Sequence, residues 1–148
     1  MKKHVVYAQL YLRLALGIGF IYPVLDRIGW LGPAGQHNVD WGNWDSFLTY
    51  VHALLPFLAK SVSDVMGWLA TFLEVIFGIL LIAGYKTRIM ALGSFVLTLT
   101  FALCMALFFG VKSPFNYSVF AVSAGSLLLS TIPAYKWSVD NILSPLNS

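Results

Sequence analysis

Residues 65–109 read VMGWLATFLEVIFGILLIAGYKTRIMALGSFVLTLTFALCMALFF. Two continuous apolar runs, Val65–Gly84 and Ile89–Phe109, flank the charged turn Tyr85-Lys-Thr-Arg88. A helix that crosses about 30 Å of hydrocarbon needs about 20 mainly apolar residues, and each run has that length. A membrane β-barrel would instead show short segments of alternating polarity. So short a turn makes the two helices antiparallel neighbours.

Outward from this hairpin, Val5–Leu25 and Phe115–Ile132 have the same character. The expected fold is therefore all-α, a four-transmembrane-helix bundle forming one domain over residues 1–148. Composition agrees, with 59% apolar and only 10% charged residues and a mean hydropathy of +0.79. Soluble domains run at about 45–50% apolar and about 25% charged. Disordered chains, ordinary cytosolic domains and nucleic-acid binders are excluded, because the net charge of +3 comes from scattered residues rather than a basic patch. A single cysteine leaves no disulfide framework and no dithiol.

Lys2 and Lys3 give the chain a basic start, but the first apolar run is long and interrupted by Arg13. No small-residue cleavage site follows it, so it reads as a retained helix rather than a signal peptide. With the N terminus inside, Lys2, Lys3, Lys86, Arg88 and Lys136 face Arg27, Lys60 and Lys112 across the bilayer. Five basic residues against three place both termini in the cytoplasm. The expected location is the bacterial inner membrane.

The outer segment 26–64 opens with Gly29, Gly32, Pro33 and Gly35 and carries Trp30, Trp41 and Trp44. Asp45 is the expected N-cap of a short helix over Phe47–Leu58. That helix would show Phe47, Tyr50, Val51, Leu54 and Leu58 on one face, as an interfacial or re-entrant element. Pro114 is expected to open the fourth helix. The tail from Ala134 onward should lie at the inner interface.

Two charges fall inside the spans. Arg13 lies about 12 Å above the inner end of the first helix and Glu74 about 15 Å above that of the second, so an Arg13–Glu74 pair is expected. Gln9, Arg13 and Gly17 share one stripe, and Ala70, Glu74 and Gly78 another. Helix 3 offers Ser94, Thr98, Ala102 and Ala106, and helix 4 offers Ala121 and Gly125, a spacing that permits close helix approach. Thr98 and Ser123 fall at similar depth and suggest a polar belt.

The pair could be a buried clamp that fixes register, or it could meet a ligand, since intramembrane charges default to functional suspects. Asn116 and Tyr117 could line an outward-facing pocket, with helix capping as the plainer account. Cys104 reads as a packed thiol. His4, His37 and His52 avoid mid-membrane depth and lack metal-ligand spacing. No haem, metal or dinucleotide site is expected.

The first helix spells Arg13-x3-Gly17-x2-Phe20-x6-Arg27. The second, with its exit, spells Glu74-x3-Gly78-x2-Leu81-x2-Gly84-x2-Thr87-Arg88-x2-Ala91. These patterns resemble the DoxX family of small four-helix membrane proteins over nearly the whole chain. Pro23 and Val24 stand where many members have histidine and glycine, and Arg27 where lysine is frequent. The resemblance implies an accessory subunit of a membrane redox system, as in quinol oxidase or thiosulfate:quinone oxidoreductase, with a quinone or lipid-like ligand in the bundle. The alternative it implies is a non-catalytic assembly or chaperone protein that holds client proteins. A transporter ranks last, since one charge pair makes a poor aqueous path. The expected partners are the lipid bilayer, a membrane protein or second copy of the chain, and a small hydrophobic ligand, with no nucleic acid.

Overall fold

A computed structural model describes residues 2–143; the ends of the expected 1–148 domain, Met1 and residues 144–148, lie outside the described residues. The described residues form helices and connecting turns. Three helices are long and apolar enough to cross a membrane: α1 (Lys3–Arg27), α3 (Lys60–Ala83) and α4 (Thr87–Phe108). Between the first two lies α2 (Trp44–Leu54).

The expected fourth span is not one helix. The chain forms α5 (Lys112–Asn116), breaks at Tyr117 and Ser118, and resumes as α6 (Val119–Ser130). Ser118 sits at φ 55°, a left-handed conformation that ends a right-handed helix. Pro114 falls within the first turn of α5, where its missing N–H is harmless. At 1.5 Å per residue, α6 alone is about 18 Å long. The last element is the short α7 (Val139–Leu143).

Beside an apolar core of Leu16, Phe20, Phe77, Leu81 and Leu129, many polar side chains are buried while large apolar ones face outward. Gln9, Arg13, Glu74, Thr87, Ser94, Thr98, Ser123 and Ser126 are buried, whereas Tyr11, Trp68, Val96 and Leu107 face outward. Lipid tails are as apolar as leucine, so outward apolar residues cost nothing in a bilayer, and small residues govern helix contact. The α1–α3 crossing shows this directly. A Cβ on Gly17 would lie 2.9 Å from the Gly78 carbonyl oxygen, and one on Gly78 3.0 Å from that of Gly17. The two expected stripes meet there.

The α3–α4 hairpin closes on Gly84 at φ 71°. The Tyr85 amide donates to the Leu80 carbonyl at 3.0 Å and that of Gly84 to Leu81 at 3.2 Å, the paired bonds of a Schellman end. A long-range cap then starts α4. Asp140 accepts from the amides of Lys86 at 2.7 Å and Thr87 at 2.8 Å, satisfying two of the donors that a helix start leaves free.

At the bundle end that carries residues 28–59, called the outer end below with the opposite end called inner, Asn43 rather than Asp45 caps α2, accepting from the Ser46 amide at 2.8 Å. Asp45 sits instead in the first turn, where a carboxylate complements the helix dipole. Phe47, Val51 and Leu54 are the buried face. The helix stops at Leu54 because the next residue precedes Pro56, and a residue before proline avoids helical geometry. Leu58 therefore lies beyond the helix.

Candidate functional site

The Gly17–Gly78 contact fixes which charges can meet. The helices run antiparallel, so Arg13 lies toward the inner end from Gly17, and Glu74 toward the outer end from Gly78. At 1.5 Å per residue the two are offset by about 12 Å along the helices. Helical side chains lean toward their own N terminus, which tips Arg13 inward and Glu74 outward. They diverge. The expected Arg13–Glu74 pair does not form.

Glu74 instead meets Arg27, which the outer end of α1 presents and which leans down into the bundle. Both Glu74 carboxylate oxygens engage the Arg27 guanidinium, Oε2 through Nη1 and Oε1 through Nη2 at 3.2 Å. Nη1 also donates to the Thr71 hydroxyl at 2.8 Å. Both side chains are about 95% buried. The guanidinium carbon lies 3.9 Å from the Phe47 ring centroid and 5.1 Å from that of Trp41, close enough for cation–π attraction. Nε of Arg27 is buried and has no partner.

Beside Arg27, the buried Asp26 carboxylate secures the outer segment. It accepts from the amides of Asp40 at 2.9 Å, Trp41 at 3.3 Å and Gly42 at 2.8 Å. Gly42 has φ 65°, and a Cβ there would meet the backbone of Pro33 and Ala34, so only glycine fits. This loop sets Trp41 against Phe47 (centroids 5.4 Å apart) and Tyr50 (5.7 Å).

These groups line a cavity of about 450 Å³ among α1, α2, α3, α4 and α6. Leu16, Phe20, Phe101, Met105 and Val119 supply apolar walls; Arg27, Glu74, Asp26, Asp40, Thr98, Tyr50 and Tyr117 supply the polar groups. Burial, followed by the neighbouring Tyr117 and Asp40, pushes the Tyr50 phenol above its ordinary range.

Of the residues singled out from sequence, Glu74, Thr98 and Tyr117 line this cavity. Thr98 donates to the Ser94 carbonyl at 2.7 Å within its own helix. Ser123 ties α6 to α4 through the Phe95 carbonyl at 3.5 Å, and Asn116 is exposed on α5. Asp26, Arg27, Asp40, Trp41 and Tyr50 were not singled out as site residues. Their signal was the Asp26–Arg27 charge pair at the end of an apolar run, with tryptophans following.

Arg13 and Gln9 belong to a second polar cluster at the inner end. Arg13 Nη2 donates to the Trp137 carbonyl at 2.6 Å, and Gln9 Nε2 to the Lys136 carbonyl at 3.0 Å. The Asp140 amide donates to Gly84 at 2.9 Å. Residues 136–140 are thereby strapped to α1 and to the α3–α4 turn. His52 contacts Ser63 at 3.2 Å, joining α2 to α3. Cys104 lines a second, smaller apolar cavity of about 210 Å³ between α2, α3 and α4. Among the described residues, no three His, Cys, Asp or Glu side chains cluster as a metal site.

The family model named DoxX matches residues 8–109. The chain belongs to the DoxX family. Comparison with curated proteins and with solved structures returns no match. In this DoxX protein the matched stretch holds Asp26, Arg27, Thr71, Glu74 and Thr98. Tyr117 and the C-terminal strap lie beyond it.

Proposed function

We propose that this DoxX protein binds a quinone-like or lipid-like molecule beside Arg27 and Glu74, as a non-catalytic subunit of a membrane redox system. The carrying observation is that the buried ion pair forms part of the wall of a largely apolar cavity. A clamp that only fixed helix register would be packed on every side. The volume falls within the range of about 300–1,000 Å³ usual for small-molecule sites, with apolar walls and few polar groups. A closed ion pair is neutral in sum, which suits an uncharged ligand. The Tyr50 and Tyr117 hydroxyls can donate to carbonyl or hydroxyl oxygens.

Orientation with both termini in the cytoplasm of a bacterial inner membrane fits this reading. With Arg27 committed to Glu74, only Lys60 and Lys112 oppose the five inner basic residues.

The test is titration of a decyl-substituted benzoquinone into the protein in nanodiscs, followed by tryptophan quenching. Wild type should quench beyond a lipid-only control, and Trp41→Phe should lose much of the signal. Arg27→Met should bind roughly tenfold more weakly, as loss of a charge-assisted hydrogen bond implies. Absence of saturable quenching in wild type overturns the reading and favours the assembly role.

A further inference from the structure

We propose that the cavity is loaded sideways from the bilayer, through the gap between α1 and α6, with Gly19 at its threshold. Resting on the ligand-binding reading above, this specifies the ligand as an amphiphile whose apolar chain lies out through the gap into lipid.

At the cavity's outer end lie α2, with buried Phe47, Val51 and Leu54, the loop that Asp26 holds in place, and the exposed polar side chains of Asp40 and Tyr117. The side toward α6 is different. Ala15, Gly19 and Tyr22 recur at helical spacing on α1, all three exposed and all three lining the cavity. Across from them, Val119 and the exposed Val122 line it from α6. A Cβ on Gly19 would meet nothing within 4 Å. The contrast with Gly17, two residues away and packed against Gly78, is physical: one glycine lets helices touch, the other leaves a space open.

Depth decides what enters. Gly19 lies about 12 Å below Arg27 along α1 and about 24 Å above Lys3, well inside an apolar span. A gap at that depth faces hydrocarbon rather than water. A head group entering there reaches the wall that Arg27, Glu74 and Tyr50 contribute to, and its chain need not leave the lipid.

The experiment uses an alkyl benzoquinone carrying a diazirine at the end of its chain, photolysed with the protein in nanodiscs and mapped by mass spectrometry. Excess unlabelled decyl-substituted benzoquinone identifies site-dependent adducts. These should fall on residues 15–22 and 119–122, should persist in Gly19→Ala, and should drop at least tenfold in Gly19→Trp. Competitor-sensitive adducts on Leu69, Thr100 or Cys104 would mean that the chain leaves through the smaller cavity, and would overturn the inference while ligand binding stands. Undiminished adducts in Gly19→Trp would likewise overturn it. If competitor removes no adduct anywhere, the ligand-binding reading fails and the inference with it.

Discussion

Arg27 of α1 and Glu74 of α3 meet because their side chains lean toward each other from opposite ends of two antiparallel helices. Arg27 points down from the outer end and Glu74 points up from the middle, and Thr71, Phe47 and Trp41 close around the guanidinium. Arg13, on the same helix as Arg27, leans the same way and so reaches the strap at Trp137 instead.

Double-mutant cycles in detergent should separate these assignments. Leaving one partner of a buried pair unmatched costs about 3–5 kcal/mol, so Arg27→Met and Glu74→Met should each lower thermal stability strongly. The Arg27→Met/Glu74→Met double variant should recover part of the loss. Arg13→Met with Glu74→Met should be additive to within about 0.5 kcal/mol, as for distant sites. Strong coupling between Arg13 and Glu74 would contradict the register at Gly17 and Gly78.

How much was legible in the sequence follows from what kind of information each feature needs. The hairpin of α3 and α4 was readable because apolar length, Gly84 and a short turn are local. The stripes through Gly17 and Gly78 were readable because close approach needs small residues at helical spacing. Depth counted from the span ends alone sets Arg13 and Glu74 level. The lean of each side chain toward its own N terminus sets Arg13 and Glu74 apart. Arg27 was read as an outer topology charge because it ends the apolar run, although its side chain reaches back inside. The break at Ser118 was missed because its cause is one backbone angle within an apolar stretch, and the cap from Asp140 because it acts across 53 residues or more.

Asp26→Ala should free the outer loop while leaving the long helices formed. Hydrogen bonds to a charged acceptor contribute about 1.5–3 kcal/mol each, and three amides depend on this carboxylate. Limited proteolysis should cut between Trp30 and Asn43 at least tenfold faster, with little change in far-UV circular dichroism. An unchanged cleavage rate would show that the loop is held by other contacts.

The C-terminal strap should loosen in Asp140→Ala and in Arg13→Gln. Amide exchange at Lys86 and Thr87 should accelerate in Asp140→Ala, which removes their acceptor. In Arg13→Gln those two amides should stay protected while carboxypeptidase digests further into the chain, since Arg13 holds Trp137 and not α4.

Tyr50 supplies a pH test. Its folded phenol is held above the ordinary tyrosine range by burial, then by Tyr117 and Asp40. The folded form retains a proton that the unfolded chain loses near pH 10. Its contribution to stability is therefore intact below about pH 10 and declines as pH rises through the folded value. A difference titration of phenolate absorbance between wild type and Tyr50→Phe should show one tyrosine ionising late.

The central claim is that the space beside Arg27 and Glu74 holds a lipophilic molecule, and the most direct measurement is mass spectrometry of what the gently purified protein retains. Wild type should carry a quinone-like or lipid-like compound, enriched over the surrounding lipid and near one per chain. The Arg27→Met/Glu74→Met variant, folded but without its polar wall, should lose most of it. A wild-type protein that carries nothing beyond bulk lipid, or a double variant that carries the same compound equally well, would contradict the account.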